Sequence, residues 1–193
     1  MSAPENTAYH DDEWGRPITD EVRIYEKLCL EGFQSGLSWL TILRKRAGFR
    51  RAFARFRPEA VAKFGPADVD RLLADASIVR HRGKIEATIA NAHAVLRLHE
   101  DRESLAALLW SFEPRRRGRP IPARLGDLAS ATEESTALSK ALLERGFRYV
   151  GPTTVYAAMQ SLGVVNDHLR GCYVRADCER ERRALPTPAA TAS

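Results

Sequence analysis

The chain has 193 residues, 44% of them hydrophobic, and a formal net charge of +5. That length holds one substantial core, the composition excludes disorder as the default, and the apolar runs are too short to span a bilayer. Three cysteines, with no charged-then-apolar leader in the first residues, argue against a disulfide framework and predict a reducing, cytoplasmic setting.

The first predicted helix starts at an Asp20 cap and runs to Glu31. Its apolar stripe holds Ile24, Tyr25, Leu28 and Cys29, and Glu31 falls on the same stripe at helical spacing. An inward carboxylate is costly unless something satisfies it. With Trp39 a short turn away, one reading is a pocket for a flat, electron-poor ligand; the other is a partly exposed glutamate at a fraying helix end. Further helical stripes follow at Val69, Leu72, Leu73 and Ala76, at Ile85, Ile89, Ala92 and Leu96, and at Leu105, Leu108, Leu109 and Phe112. Alternating strand patterns and internal repeats are missing. The expected fold is therefore all-α, many short helices in one compact unit of one or two lobes. Glu113 to Gly126, with five arginines, reads as a basic surface loop. It joins the clusters Arg44-Lys45-Arg46, Arg50-Arg51 and Arg80-His81-Arg82-Gly83-Lys84, which suit either a polyanion or a merely solvated basic face.

Arg145 to His168 reads as helix, glycine-containing hairpin, then a second helix opening at Gly151-Pro152. This helix-hairpin-helix element, about 138–168, can offer backbone N–H groups to a DNA phosphate; an ordinary αα-hairpin is the alternative. Gly151, Thr153 and Thr154 there, with Arg82 and Lys84, are the expected DNA contacts. His168 and Cys172 stand four apart, as on one helical face, and with His10 supply three zinc-type ligands where a structural site takes four. Cys178 is a candidate fourth, and coincidence is the competing reading. From Cys178 onward the chain turns charged and then Ala/Pro/Thr-rich, so the expectation is a domain over 1–177 and a disordered tail over 178–193.

Four words stand in order: Tyr9-His-Asp-Asp-Glu-Trp-Gly15, Cys29-Leu-Glu-Gly-Phe-Gln-Ser-Gly-Leu-Ser-Trp39, Ile78-Val-Arg-His-Arg-Gly-Lys-Ile85 and Val165-Asn-Asp-His168. Together they resemble the DNA-3-methyladenine glycosylase I family, a branch of the helix-hairpin-helix glycosylases, over roughly Ala8 to Tyr173. The resemblance implies base-excision repair of double-stranded alkylated DNA by a monomer, with free 3-methyladenine as product. It implies that Glu31 is the base-recognition carboxylate and catalytic group, Trp39 the stacking aromatic and Tyr9 a second pocket residue. It makes His10, His168 and Cys172 zinc ligands. The family's fourth ligand, a cysteine, and a pocket tryptophan stand further upstream than the nine residues before His10, so a native start beyond Met1 is expected. In the wider superfamily a catalytic aspartate stands where this chain has Asn166, and bifunctional members carry a hairpin lysine where it has Thr153. The expected enzyme is thus a monofunctional hydrolase of labile cationic lesions. A non-catalytic helix-hairpin-helix DNA-binding module and a zinc-organised interaction protein are the rival readings.

Overall fold

The computed structural model describes residues 3–116 and 119–185. They form ten α-helices and two short 3-10 turns, with no strand among the described residues. The helices are α1 (Pro4–Asp12), α2 (Glu21–Gln34), α3 (Trp39–Ala52), α4 (Pro58–Val61), α5 (Pro66–Ala74), α6 (Arg82–Glu100), α7 (Leu105–Ser111), α8 (Glu133–Glu144), α9 (Pro152–Ser161) and α10 (Arg175–Ala184). The all-α expectation holds.

α2 is the axis. Asp20 caps it by accepting from the Arg23 amide at 2.8 Å, and α3, α6, α7 and α9 all pack against it. A helix surrounded in this way has little outer face, so its polar positions go inward with its apolar ones. Ile24, Tyr25, Leu28, Leu30 and Phe33 are buried, and so is Glu31. Phe33, Phe49, Phe53 and Phe56 form one aromatic cluster, with Phe33 and Phe49 centroids 4.6 Å apart. That cluster pins the 3-10 turn Ala54–Phe56, whose three residues all take positive φ, a conformation that costs L-residues about 1–2 kcal/mol each.

On α6 the buried side includes polar groups. Lys84 donates to the carbonyls of Phe33 (2.9 Å) and Ser35 (2.7 Å) at the end of α2. Asn91 donates to the Arg148 carbonyl (3.1 Å) and accepts from the Arg148 amide (2.7 Å), which fixes the start of the hairpin between α8 and α9. The Lys84 ammonium is therefore committed to capping α2. Its expected contact with DNA is corrected: burial turns it away from the surface.

α8 ends in a Schellman motif. The Phe147 amide bonds to the Leu142 carbonyl and the Gly146 amide to the Leu143 carbonyl, with Gly146 at φ +86°. This is the left-handed residue that such a cap requires. The chain then turns at Tyr149 and enters α9 through exposed Gly151 and Pro152 with no side-chain cap. Unlike the other helices, α1 has no buried residue. It is held by ion pairs, Glu5 to Arg44 at 3.0 Å, and Glu13, one residue beyond it, to Arg46 at 2.5 and 2.7 Å.

The tail expectation is corrected for 178–184. Residues Arg175–Ala184 form α10, and Cys178 is fully buried. Arg182, also buried, bonds the Val164 carbonyl at 2.8 Å and pairs with Glu113 and Glu179. A charge-rich segment reads as solvated, but here its charges are matched partner by partner. The remainder of the expected tail, 186–193, lies outside the described residues.

Candidate active site

Three helices bring the predicted pocket residues together. Tyr9 comes from the last turn of α1, Glu31 from the buried side of α2, and Trp39 from the first residue of α3, where Ser38 caps the helix by accepting from the Thr41 amide. The Tyr9 and Trp39 ring centroids are 5.2 Å apart. Glu31 is 5% exposed, so the fraying-end reading fails. Burial raises the pKa of its carboxyl, and Lys27 opposes that rise from 3.3 Å. The indole N–H of Trp39 is buried and finds no acceptor among the described residues.

Lys27 is the pocket residue that the sequence did not reveal. Its ammonium lies 3.8 Å from the Trp39 ring centroid and 4.5 Å from that of Tyr9, and it donates to the Tyr9 hydroxyl and pairs with Glu31. Burial pulls its pKa down to about 8, against the raising effect of Glu31. Ser161, at the end of α9, lies near the Glu31 carboxylate and works against the rise of its pKa, while its hydroxyl donates to the Ala158 carbonyl at 3.0 Å. Neither carries a sequence signal: a lysine four residues before a glutamate reads as a solvated helix pair, and a lone serine reads as nothing. Tyr9, Lys27, Trp39 and Ser161 line a cavity of about 40 Å³ with Glu13, Glu26, Arg46 and Arg50 on its rim.

His10, His168 and Cys172 also converge. The Cys172 Sγ lies 3.5 Å from His10 Nε2 and 3.4 Å from His168 Nδ1. Tetrahedral zinc with ordinary bond lengths puts a sulfur and a nitrogen ligand about 3.5 Å apart, so the donor set fits. The other nitrogen of each imidazole also has a partner, as a ligating histidine requires. His10 Nδ1 meets Asp11 at 2.7 Å, and His168 Nε2 meets the Trp14 carbonyl at 3.1 Å, leaving Nε2 and Nδ1 respectively to face the sulfur. Burial pushes the His168 pKa down to about 4, which keeps the ring neutral, the form that ligates. Gly15, at φ +79°, makes room for this ring, since a Cβ there would come within 2.8 Å of His168 Nε2.

Two expectations about this cluster are corrected. Residues 168–172 form no helix; the Cys172 amide closes a turn on the Leu169 carbonyl, and that turn sets the spacing. Cys178 meets His168 at Nε2, 3.4 Å away, on the ring edge opposite to Nδ1. It cannot complete a site centred between Nδ1 and Cys172. His10, His168 and Cys172 all border a wider cleft of about 830 Å³ that Tyr9 shares.

Asn166 and Asp167 lie on non-helical backbone, not on the helix expected. Asn166 donates to the Arg175 carbonyl at 3.1 Å. Asp167 is buried and accepts from Tyr156 (2.6 Å), Gln160 (2.8 Å) and Arg119 (2.7 Å). Every strong donor near that carboxylate is already engaged, so it clamps α9 to the basic loop. Among the expected DNA contacts, Gly151 and Thr153 are exposed and Thr154 half-buried at the start of α9. Arg82 is exposed and paired with Asp70 at 3.0 Å, an ion pair that a phosphate can replace.

The comparisons with known proteins agree with this geometry. The model of the methyladenine glycosylase family matches residues 1–176. The DNA-3-methyladenine glycosylase 1 of Escherichia coli (strain K12) is 47% identical over 169 residues, covering 88% of this chain and 90% of that protein. The crystal structure of a 3-methyladenine DNA glycosylase I (TAG) superposes with a TM-score of 0.85 at 46% identity, over 90% of this chain and 95% of that one. A tyrosine-to-phenylalanine variant of a TAG, solved in complex with 3-methyladenine, gives a TM-score of 0.84 at 34% identity, over 91% and 94%. A match that begins at the first residue and runs through nearly all the helices around the pocket makes this chain a member of the methyladenine glycosylase family.

Proposed function

We propose that the protein excises 3-methyladenine from alkylated double-stranded DNA by hydrolysing the N-glycosidic bond, as a monomer in the cytoplasm. The observation that carries this reading is the cage around the Lys27 ammonium: a buried carboxylate with two aromatic rings, already holding one positive charge. Adenine methylated at N3 is a flat cation, and its bond to deoxyribose is weak because the departing base is neutralised. An extruded base of that kind suits the same three groups. Glu31 accepts from the adenine edge and places negative charge beside the ring. Trp39 and Tyr9 offer π faces, worth about 2 kcal/mol to a desolvated cation. The site selects the cationic base over an unmodified one, the base leaves as neutral 3-methyladenine, and water completes hydrolysis at the sugar carbon.

DNA is met by the α9 N-terminus, where Gly151, Thr153 and Thr154 present amides to a phosphate, and by exposed arginines such as Arg82. Thr153 has no amine, so no Schiff base forms and no strand cleavage is expected. The pocket argues against a DNA-binding module without activity, which has no use for a buried carboxylate between two rings. His10, His168 and Cys172 would hold zinc, and the ion would tie α1, with Tyr9, to the segment after α9 as a structural staple.

The test is release of 3-methyladenine from methylated duplex DNA by the wild-type protein and by Glu31→Gln. Losing a charged hydrogen-bond partner in a buried site costs roughly 1.5–3 kcal/mol, so excision should fall about 10- to 100-fold in a variant that still folds but melts lower, because Lys27 loses its buried partner. Wild-type excision by the variant would remove Glu31 from the mechanism.

A further inference from the structure

We propose that Lys27 is a tethered stand-in for the ligand: its ammonium fills the cation site of the free enzyme, and a base enters only by exchanging with it. Lys27 thereby becomes a built-in competitor that holds the base site closed until a base displaces it. This inference rests on the base-site reading of Glu31, Trp39 and Tyr9.

Space requires the exchange. With Lys27 in place the cavity is about 40 Å³, room for a few waters at about 10–15 Å³ each and not for a purine. Tyr9 and Trp39 sit on helices, and Leu162, also in the lining, is fully buried. Lys27, with its long flexible side chain, is the wall that can move at least cost. It also has somewhere to go, because Glu13 and Glu26 line the same cavity. Both are partly engaged, by Arg46 and Arg50, and each carboxylate has lone pairs for a second donor.

Charge makes the exchange selective. When a cationic base displaces Lys27, one positive charge replaces another beside buried Glu31. When a neutral base does so, Glu31 is left either ionised without a partner or obliged to take a proton, and an uncompensated buried charge is strongly unfavourable. Lys27 leaves the site in both cases, so the exchange lowers the affinity of both bases by the same factor, and the preference itself belongs to Glu31. The lowered pKa of Lys27, about 8 through burial, agrees with an ammonium held at some cost and ready to leave.

The experiment compares a permanently charged probe, 3,9-dimethyladeninium, with its neutral counterpart 9-methyladenine, titrated into wild-type and Lys27→Met protein. The wild type should prefer the cation, and Lys27→Met, with no ammonium to displace, should bind both probes about tenfold or more tightly while keeping the cation-to-neutral ratio. A folded variant that binds both probes no more tightly than the wild type overturns the proposal. A second measurement needs no variant: acetylation of Lys27 by acetic anhydride, followed by peptide mass spectrometry. It should speed up several-fold when 3,9-dimethyladeninium drives the amine out of the pocket; an unchanged or slower rate means that Lys27 stays beside the base, and overturns the exchange. Release of 3-methyladenine by the wild type separates the two levels. Its absence would overturn the base-site reading and this inference together, whereas excision with probe affinities unchanged by Lys27→Met overturns this inference alone.

Discussion

At the scale of single residues, the pocket is a problem in burying opposite charges. Glu31 and Lys27 are each penalised by burial and each relieved by the other, while two rings take up the remaining positive potential. Trp39→Ala should therefore weaken binding of free 3-methyladenine by about 1–3 kcal/mol, the usual value of one base-on-aromatic stack; calorimetric titration checks it, and unchanged affinity would make Trp39 a packing residue. Glu31 and Trp39 were legible in the sequence because a carboxylate on an apolar stripe is anomalous. Lys27 was not, because its pairing with Glu31 has the spacing of a commonplace surface pair. What distinguishes it is a third helix, α1, laid across both, and helical periodicity does not record what covers a face.

Elements show the same division. The stripe Ile85, Ile89, Ala92 and Leu96 located α6, yet Ile89 and Leu96 are only half-buried, and Lys84, Thr88 and Asn91 take the inner positions. Each has a backbone partner: Lys84 on the α2 carbonyls, Thr88 on the Lys84 carbonyl, Asn91 on Arg148. Apolar patterning cannot announce a polar group whose partner lies some fifty residues away. α10 was hidden for a related reason, since its arginines and glutamates satisfy one another at short range. The hairpin, by contrast, was readable, because Gly146 and Gly151-Pro152 are conformational requirements written locally. Gly146→Ala places an alanine at φ +86°, at a cost of about 1–2 kcal/mol. Melting should drop by about 2–8 °C for a chain of this size, and DNA affinity should fall with it. A variant melting at the wild-type temperature would show that the Schellman turn is not what sets the hairpin.

Across the whole molecule, charge is distributed in two ways. Many arginines are matched with carboxylates, as Arg46, Arg119 and Arg182 are, which leaves the excess of +5 to exposed positions and the α9 N-terminus. DNA binding should then be nearly independent of sequence, with log affinity falling by about 0.9 per phosphate contact for each log unit of salt; fluorescence anisotropy across a salt series measures it, and a flat response would rule out phosphate-led binding.

The unburied α1 gives the molecule a seam. Tyr9 belongs to a helix tied down by carboxylates, whereas Glu31 and Trp39 belong to the core. Burial works against ionisation of Glu13, but Arg46 outweighs it and holds the pKa below 4.5; Glu5 is likewise lowered by its own backbone and Arg44, and Asp11 by Tyr173 and His10. Groups with lowered pKa values stabilise the fold fully above their ordinary values and lose that contribution as the pH falls through the lowered ones. Acidification below about pH 4 should therefore release α1 ahead of the aromatic core. Amide exchange followed by mass spectrometry should find residues 4–12 opening while Phe33 and Phe49 stay protected, and simultaneous opening would contradict this. Recognition and folding then have separate thresholds: an acidified protein can keep its helices and its melting transition while its base pocket has already come apart.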